Sequence, residues 1–199
     1  MIEIKQSKIL VVEGRDEELF FSTIVENLNL QGIQILGIGG KTKIRPNLKA
    51  LRISPNFSRV TSLGVIRDAD DNASSAFRSV CSALENAGFP QPSQSGHTVG
   101  ISPAVSVLIL PDGQNPGMLE DVFLQSIGTH PILLCINQYL TCVKDATSVL
   151  PSNTSKAKVH VYLAAQSSPG KRLGESASAG YWQLTHEAFN GISQFLRSL

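Results

Sequence analysis

SLGVIRDADDN, residues 62–72, decides how the rest of the chain is read. Leu63, Gly64, Val65 and Ile66 form a short apolar run that suits a buried strand. It runs straight into Asp68, Asp70 and Asp71, three carboxylates within four residues. Like charges this close repel, and some must hold a proton unless a cation sits among them. A solvated turn is one account, since Asp and Asn are turn residues. A metal site is the other, and the flanking sequence weighs between them.

Working outward, the same pattern recurs. KILVVEG (8–14) is a continuous apolar run closed by Glu13 and Gly14, as in a strand buried on both faces. RDEELFFSTIVENLNL (15–30) has Leu19, Phe20, Ile24, Val25 and Leu28 at helical spacing, with acids in the first turn where the helix dipole favours them. IQILGIGG (33–40) reads as a second strand entering a glycine turn. KTKIRPNLKALRIS (41–54) is basic and helical in part, with Pro46 near a helix start. ASSAFRSVCSALENAG (73–88) reads as a helix stopped by Gly88, and PQPSQSG (90–96) as a loop. AVSVLILPD (104–112) is a fourth strand, and GMLEDVFLQSI (117–127) a short helix. Strands alternating with helices predict an α/β fold: a mostly parallel four-stranded sheet with helices on both faces.

Beyond residue 129 the pattern turns mostly helical. Ile132, Leu133, Ile136, Tyr139, Leu140 and Val143 mark one helix, and HEAFNGISQFLRSL (186–199) another. KAKVHVYLAAQ (156–166) alternates like a strand at Val159, Val161 and Leu163, while its alanines favour a helix. SSPGKRLGESASAGYW (167–182) is rich in Gly and Ser and reads as a loop. No linker isolates this part. The expectation is one domain: an α/β core over 1–128, with 129–199 a helical extension packed upon it.

Composition excludes several classes. Hydrophobic residues make up 42% and charged residues 17%, as in an ordinary globular protein. The net charge is +1, from 17 basic and 16 acidic residues, so no overall field draws the chain to nucleic acid or membrane. No stretch is long and apolar enough to span a membrane and the first residues lack a signal-peptide pattern, so the cytoplasm is the expected compartment. Cys81, Cys135 and Cys142 form no Cys-x-x-Cys pair and read as reduced core or near-core thiols. The histidines, His97, His130, His160 and His186, lack zinc-like spacing.

In open parallel sheets, ligands sit outside the carboxyl ends of the strands. There the pattern places Glu13, then Gly39, Gly40 and Lys41, then Asp68 and Asp70, with Asp112 and Glu120 beyond the fourth strand. GIGGKT is not a Walker P-loop, because Ile35 stands where that motif needs its first glycine. A glycine turn still offers backbone N–H groups to an anion, with Lys41 as a point charge. Hard carboxylate oxygens suit Mg²⁺ or Mn²⁺.

VVEGRDE with Glu13, and IRDADDN with Asp68 and Asp70, resemble the Toprim fold of topoisomerases, primases and the overcoming-lysogenization-defect (OLD) nucleases. PDGQNPGMLEDVF with Glu120 is similar to the OLD-type branch. Together with GGKTK, KAKVHVYLAAQ and GYW, these segments resemble a family of small stand-alone Toprim-like bacterial proteins of unknown function. The resemblance implies a Rossmann-like Toprim fold and a Mg²⁺ (or Mn²⁺) site for phosphoryl chemistry on nucleic acid, DNA or RNA. Glu13 would be a metal ligand or general acid/base, Asp68 and Asp70 the metal-binding pair, and Glu120 a further ligand. Gly39, Gly40 and Lys41 would meet phosphate. Asp71, Asp112 and Asp121 match no motif position. The expected function is a Mg²⁺-dependent nuclease or related phosphotransferase. The alternative is a non-catalytic nucleic-acid or nucleotide-binding module, or a subunit of a phage-defence-type complex acting with a protein partner.

Overall fold

The computed structural model describes residues 2–199. Its elements run β1 (Lys8–Val12), α1 (Arg15–Asn27), β2 (Ile33–Gly37), α2 (Ile44–Arg52), β3 (Ser62–Asp68), α3 (Ala73–Asn86), β4 (Thr98–Val99), β5 (Ala104–Leu110), α4 (Leu119–Ser126), α5 (Ile132–Thr147), α6 (Thr154–Ala164), α7 (Leu173–Ser178) and α8 (Asn190–Ser198). The sheet order is β2-β1-β3-β5-β4. The first four strands in that order are parallel, and β4 joins the edge antiparallel. This is the Rossmann-like α/β arrangement expected, with a fifth strand added. At two residues, β4 is too short to show a period of its own in the sequence.

Strand side chains alternate between two cores, because successive residues point to opposite faces. Ile9, Val11, Leu63, Val65, Val105, Val107 and Ile109 pack against α2 and α3. Leu10, Val12, Ile66, Leu108 and Leu110 pack on the other face, with residues of α1 and α4–α8. Both faces are covered, which is why the strands read as unbroken apolar runs. The second core centres on rings: Phe20 and Phe123 meet edge-on at 4.9 Å, and Trp182 lies 4.5 Å from both Phe123 and Tyr162. Residues after 129 therefore share one apolar cluster with the sheet.

One open reading is resolved and two expectations are corrected. Residues 156–164 lie in α6, which is capped by Asn153, whose side chain accepts the Lys156 N–H at 2.8 Å. The Gly/Ser-rich stretch contains α7, with Leu173, Gly174, Ser176 and Ala177 buried. Its small residues are there for contact and not for flexibility. The buried Ser176 hydroxyl accepts the Trp182 indole N–H at 2.6 Å and donates to the Leu173 carbonyl at 2.6 Å. Finally, only Cys81 is buried; Cys135 and Cys142 are exposed on α5, which buries just Ile136 and Leu140. Pro46 sits in the first turn of α2, where no helical hydrogen bond is lost. No helix among the described residues is long and apolar enough to cross a membrane.

The crossing of α7 on α1 gives a testable consequence. A Cβ on Gly174 would collide with the Asp16 carbonyl oxygen and stand 2.7 Å from the Leu19 Cβ. Gly174→Ala is expected to cost about 1–3 kcal/mol by overpacking, or a fall in melting temperature of about 2–4 °C per kcal/mol for a chain of this size. Thermal melting monitored by circular dichroism checks this. An unchanged midpoint would mean that α7 does not close on α1.

Candidate functional site

The register of the sheet brings the acids together. β1 and β3 are adjacent and parallel, with Val11 level with Val65. Two residues further on, Glu13 and Arg67 face one another, Oε1 and Nε being 3.7 Å apart. Asp68 ends β3 level with Leu110 of β5, in the middle of the carboxyl edge. Its Oδ1 accepts the N–H of Leu119 at 3.0 Å, at the start of α4. α4 then carries Glu120, which is buried and 3.4 Å from Lys156 Nζ on α6.

The loop after β3 is locked in place. Asp70 has φ +51°, a left-handed conformation that Asp tolerates better than most residues. Its N–H donates to the Gly117 carbonyl at 2.9 Å, and its carbonyl accepts the Gly117 N–H at 2.8 Å. Gly117 is needed there: its φ is +138°, and a Cβ would stand 2.8 Å from Asp121 Oδ2. The turn after β2 is tied in by the Gly40 N–H, which donates to the Glu13 carbonyl at 2.6 Å. This positions Lys41, whose Nζ lies 2.7 Å from Asp70 Oδ2.

Burial and neighbouring like charges together raise the proton affinity of three acids at this edge. Burial pushes the Asp68 carboxyl well above the ordinary carboxylate range, and the charges of Glu13, Glu120 and Glu17 add to the rise. Burial also raises Glu13, against the pull of Arg67, with Asp70 and Glu17 raising it further. Glu17 is raised by burial and then by Glu120 and Asp16. Glu13 Oε1 is buried and has no hydrogen-bond partner. A carboxylate oxygen held dry without a donor is costly.

Each predicted residue can now be placed. Glu13, Asp68 and Glu120 interact electrostatically along one edge, and Asp70 is fixed beside them through Lys41 and Gly117. As they stand, no three acidic, histidine or cysteine side chains among the described residues converge tightly enough to grip an ion. The reason is that Glu13, Asp70 and Glu120 each lean toward a protein cation: Arg67, Lys41 and Lys156. Gly39 and Gly40 form the turn that carries Lys41. Asp112 is a turn residue: burial alone would raise it, but the N–H groups of Asn115 and Gln114 carry its carboxyl below the usual range. Asp121 caps α4 through the Met118 N–H at 2.8 Å and accepts the Ser155 hydroxyl at 2.5 Å. Asp71 is exposed.

Sequence reasoning missed Glu17, which it assigned to the helix dipole along with Asp16 and Glu18. The available signal was its position four residues after Glu13, at the turn where the chain leaves the edge. It also missed a cavity of about 430 Å³ beside the acids. Glu17 and Glu120 line it together with Arg15, Lys156, His160 and Arg172, so α6 and α7 supply cations opposite an acidic wall. Phosphate on a substrate held near carboxylates needs cations of this kind.

Residues 7–199 match the sequence profile of the family described as "Protein of unknown function (DUF3226)". No curated protein matches the chain. Among solved structures it is similar to the C-terminal region of the Burkholderia pseudomallei OLD protein, at 16% identity over 98% of each chain, with a TM-score of 0.51. It is also similar to the C-terminal region of the Xanthomonas campestris pv. campestris OLD protein, at 12% identity over 98% of this chain and 86% of that one, with a TM-score of 0.39. At these identities the first likeness is one of fold.

Proposed function

The chain belongs to the DUF3226 family of proteins of unknown function, and from its acidic edge we propose a divalent-metal-dependent phosphodiesterase of the Toprim type that acts on nucleic acid. One observation carries this reading. Glu13, Glu17 and Asp68 have their proton affinity raised by burial and by neighbouring carboxylates, Glu120 among them, at the carboxyl edge of a parallel sheet, while the buried Glu13 Oε1 accepts no hydrogen bond and meets only Arg67 Nε at 3.7 Å. Natural folds retain such repulsion at sites of function more often than elsewhere.

The residues fit Mg²⁺ or Mn²⁺. The donors are all carboxylate oxygens, one of them unpartnered, and the ligands would be Glu13, Asp68 and Asp70, with Glu120 and Glu17 beside them. Lys41 and Lys156 neutralise acids from half-exposed side chains, so both can swing to a phosphate when a cation takes their place. When bound, the ion would polarise the phosphodiester and acidify a water molecule. Glu13 would either hold the ion or, standing beside it, accept a proton from water. Arg67 orients the Glu13 carboxylate, and the Gly40 N–H fixes the backbone beneath it. Lys156 and Arg172, which line the cavity with Glu120, and Lys41 beside Asp70 would neutralise charge on the transferred phosphoryl group.

A second reading has an observation of its own. Glu13, Asp70 and Glu120 already have basic partners, as in a module that binds nucleic acid without cutting it. Incubation of end-labelled DNA and RNA oligonucleotides with the purified chain and Mn²⁺ separates the two. The expected result is slow, EDTA-sensitive cleavage. Binding without cleavage, unchanged in Glu13→Gln, supports the module instead.

A further inference from the structure

We infer that the exposed face of α2 and α3 is a sequence-independent track for a nucleic-acid phosphate backbone, leading to the carboxyl edge of the sheet. This rests on the nucleic-acid reading above and adds the surface that would hold the strand.

Residues 41–52 contain five of the chain's 17 cations and none of its 16 acids. In a chain of net charge +1, this segment carries charge of one sign, while α3 adds Arg78 and a single exposed acid, Glu85. α2 buries Ile44, Leu48 and Leu51. The opposite side of the helix presents Arg45 and Lys49, four residues apart and so on one face, with the exposed Lys41 and Lys43 ahead of them. α3 packs beside α2 and exposes Arg78. Among the described residues, none of Lys43, Arg45, Lys49 and Arg78 forms an ion pair with a carboxylate. Their donors rest on hydroxyls only: Arg45 Nη2 is 3.2 Å from Ser82 Oγ, and Arg78 Nη2 is 3.2 Å from Ser75 Oγ. These hydroxyls hold the guanidinium groups without neutralising them.

Between the two helices lies a groove of about 240 Å³, lined by Lys41, Thr42, Arg45 and Ser79 among others. Its cations and hydroxyls are the donors that phosphate oxygens accept from. Lys41 forms its inner end and touches Asp70 of the acidic site at 2.7 Å, so groove and site are continuous. At the outer end, Arg52 is committed to the rings of Phe57 and Phe89, 5.1 and 5.3 Å from their centroids. No aromatic ring is exposed on this face among the described residues, so bases have nothing to stack on. Contacts to phosphate alone carry no sequence information.

The test is fluorescence anisotropy with labelled single-stranded and duplex 20-mers, the duplex being about two helical turns long, using the full chain without metal over a series of NaCl concentrations. The triple variant R45A/K49A/R78A is expected to bind about tenfold or more weakly and to flatten the slope of log K against log salt by about 2–3. A matched triple elsewhere, K5A/K144A/R197A, is expected to bind as wild type does, and both triples to melt as wild type does. Equal affinity for R45A/K49A/R78A and wild type overturns the track. So does an equal loss in the matched triple, or tighter binding to phosphatidylserine vesicles than to either oligonucleotide. The two readings fail separately. Loss of binding in the triple with no Mn²⁺-dependent cleavage by wild type supports the track and overturns the catalytic reading. Cleavage by wild type with binding untouched by the triple does the reverse.

Discussion

Asp68→Asn is expected to make the metal-free protein melt higher at pH values above the ordinary carboxylate range, and to flatten the loss of stability as pH rises through the raised pKa of Asp68. The sign follows from the direction of the shift. Burial and the charges of Glu13, Glu120 and Glu17 raise the folded pKa of Asp68 well above its ordinary value of 3.8. The folded state then holds a proton that the unfolded chain has already released. Stability from this group is full below the unfolded pKa and is lost as pH rises through the folded one. Glu13 and Glu17, raised above 4.5, act in the same direction. Each pKa unit corresponds to about 1.4 kcal/mol, and 1 kcal/mol moves the midpoint of a protein this size by about 2–4 °C. Asparagine keeps the oxygen that accepts the Leu119 N–H but carries no charge. In millimolar Mg²⁺ the wild type should recover at high pH, because a ligand bound only by the folded state stabilises it by mass action. Asp68→Asn should lose most of that response. Melting curves across pH, with and without metal, decide the matter. A wild-type midpoint that is flat with pH and indifferent to metal would show that the acids are not held in repulsion.

The fold was legible because its signals were local and consistent. The runs 9–12, 63–66 and 105–110 are apolar but for Ser106 and are buried, as strands covered on both faces are. Glu13, Asp68 and Asp70 could be placed at one edge because parallel strands point the same way, so their carboxyl ends coincide. What stayed hidden depends on contacts between distant segments. α7 looked like a loop because Gly174 and Ser176 are poor helix formers, and only the close approach to α1 and the Trp182 indole explain them. Glu17 looked like a helix-dipole residue until α4 and α6 brought Glu120 and Lys156 opposite it. The neutralising pairs Lys41–Asp70 and Lys156–Glu120 join residues 29 and 36 positions apart, beyond any local pattern. Asp121 and Asp112 show the converse. In the sequence they add to the crowd of acids, yet one caps a helix and the other a turn.

The greatest loss of activity is expected from Glu13→Gln: metal-dependent cleavage should fall by about 10²–10⁴-fold, the range supplied by a positioned proton acceptor. Glutamine fills the same space but neither accepts the proton nor binds a cation as a carboxylate does. It also leaves Arg67 without its acid, and a partly buried cation without a partner destabilises the fold. A melting curve of Glu13→Gln must therefore accompany the kinetics. Glu13→Asp supplies a second test: it keeps the charge for Arg67 and withdraws the carboxylate by one methylene. Chemistry that depends on position predicts a folded Glu13→Asp protein with cleavage far below wild type. A role limited to charge balance predicts near-normal cleavage by the same variant. Single-turnover measurements on a labelled oligonucleotide in saturating Mn²⁺ isolate this step from binding. Adding Asp68→Asn to Glu13→Gln should then cost little more, because residues acting as a unit do not lose activity additively. If Glu13→Gln cleaves as fast as wild type, the chemistry lies elsewhere and the buried Glu13 carboxylate serves only to pair with Arg67.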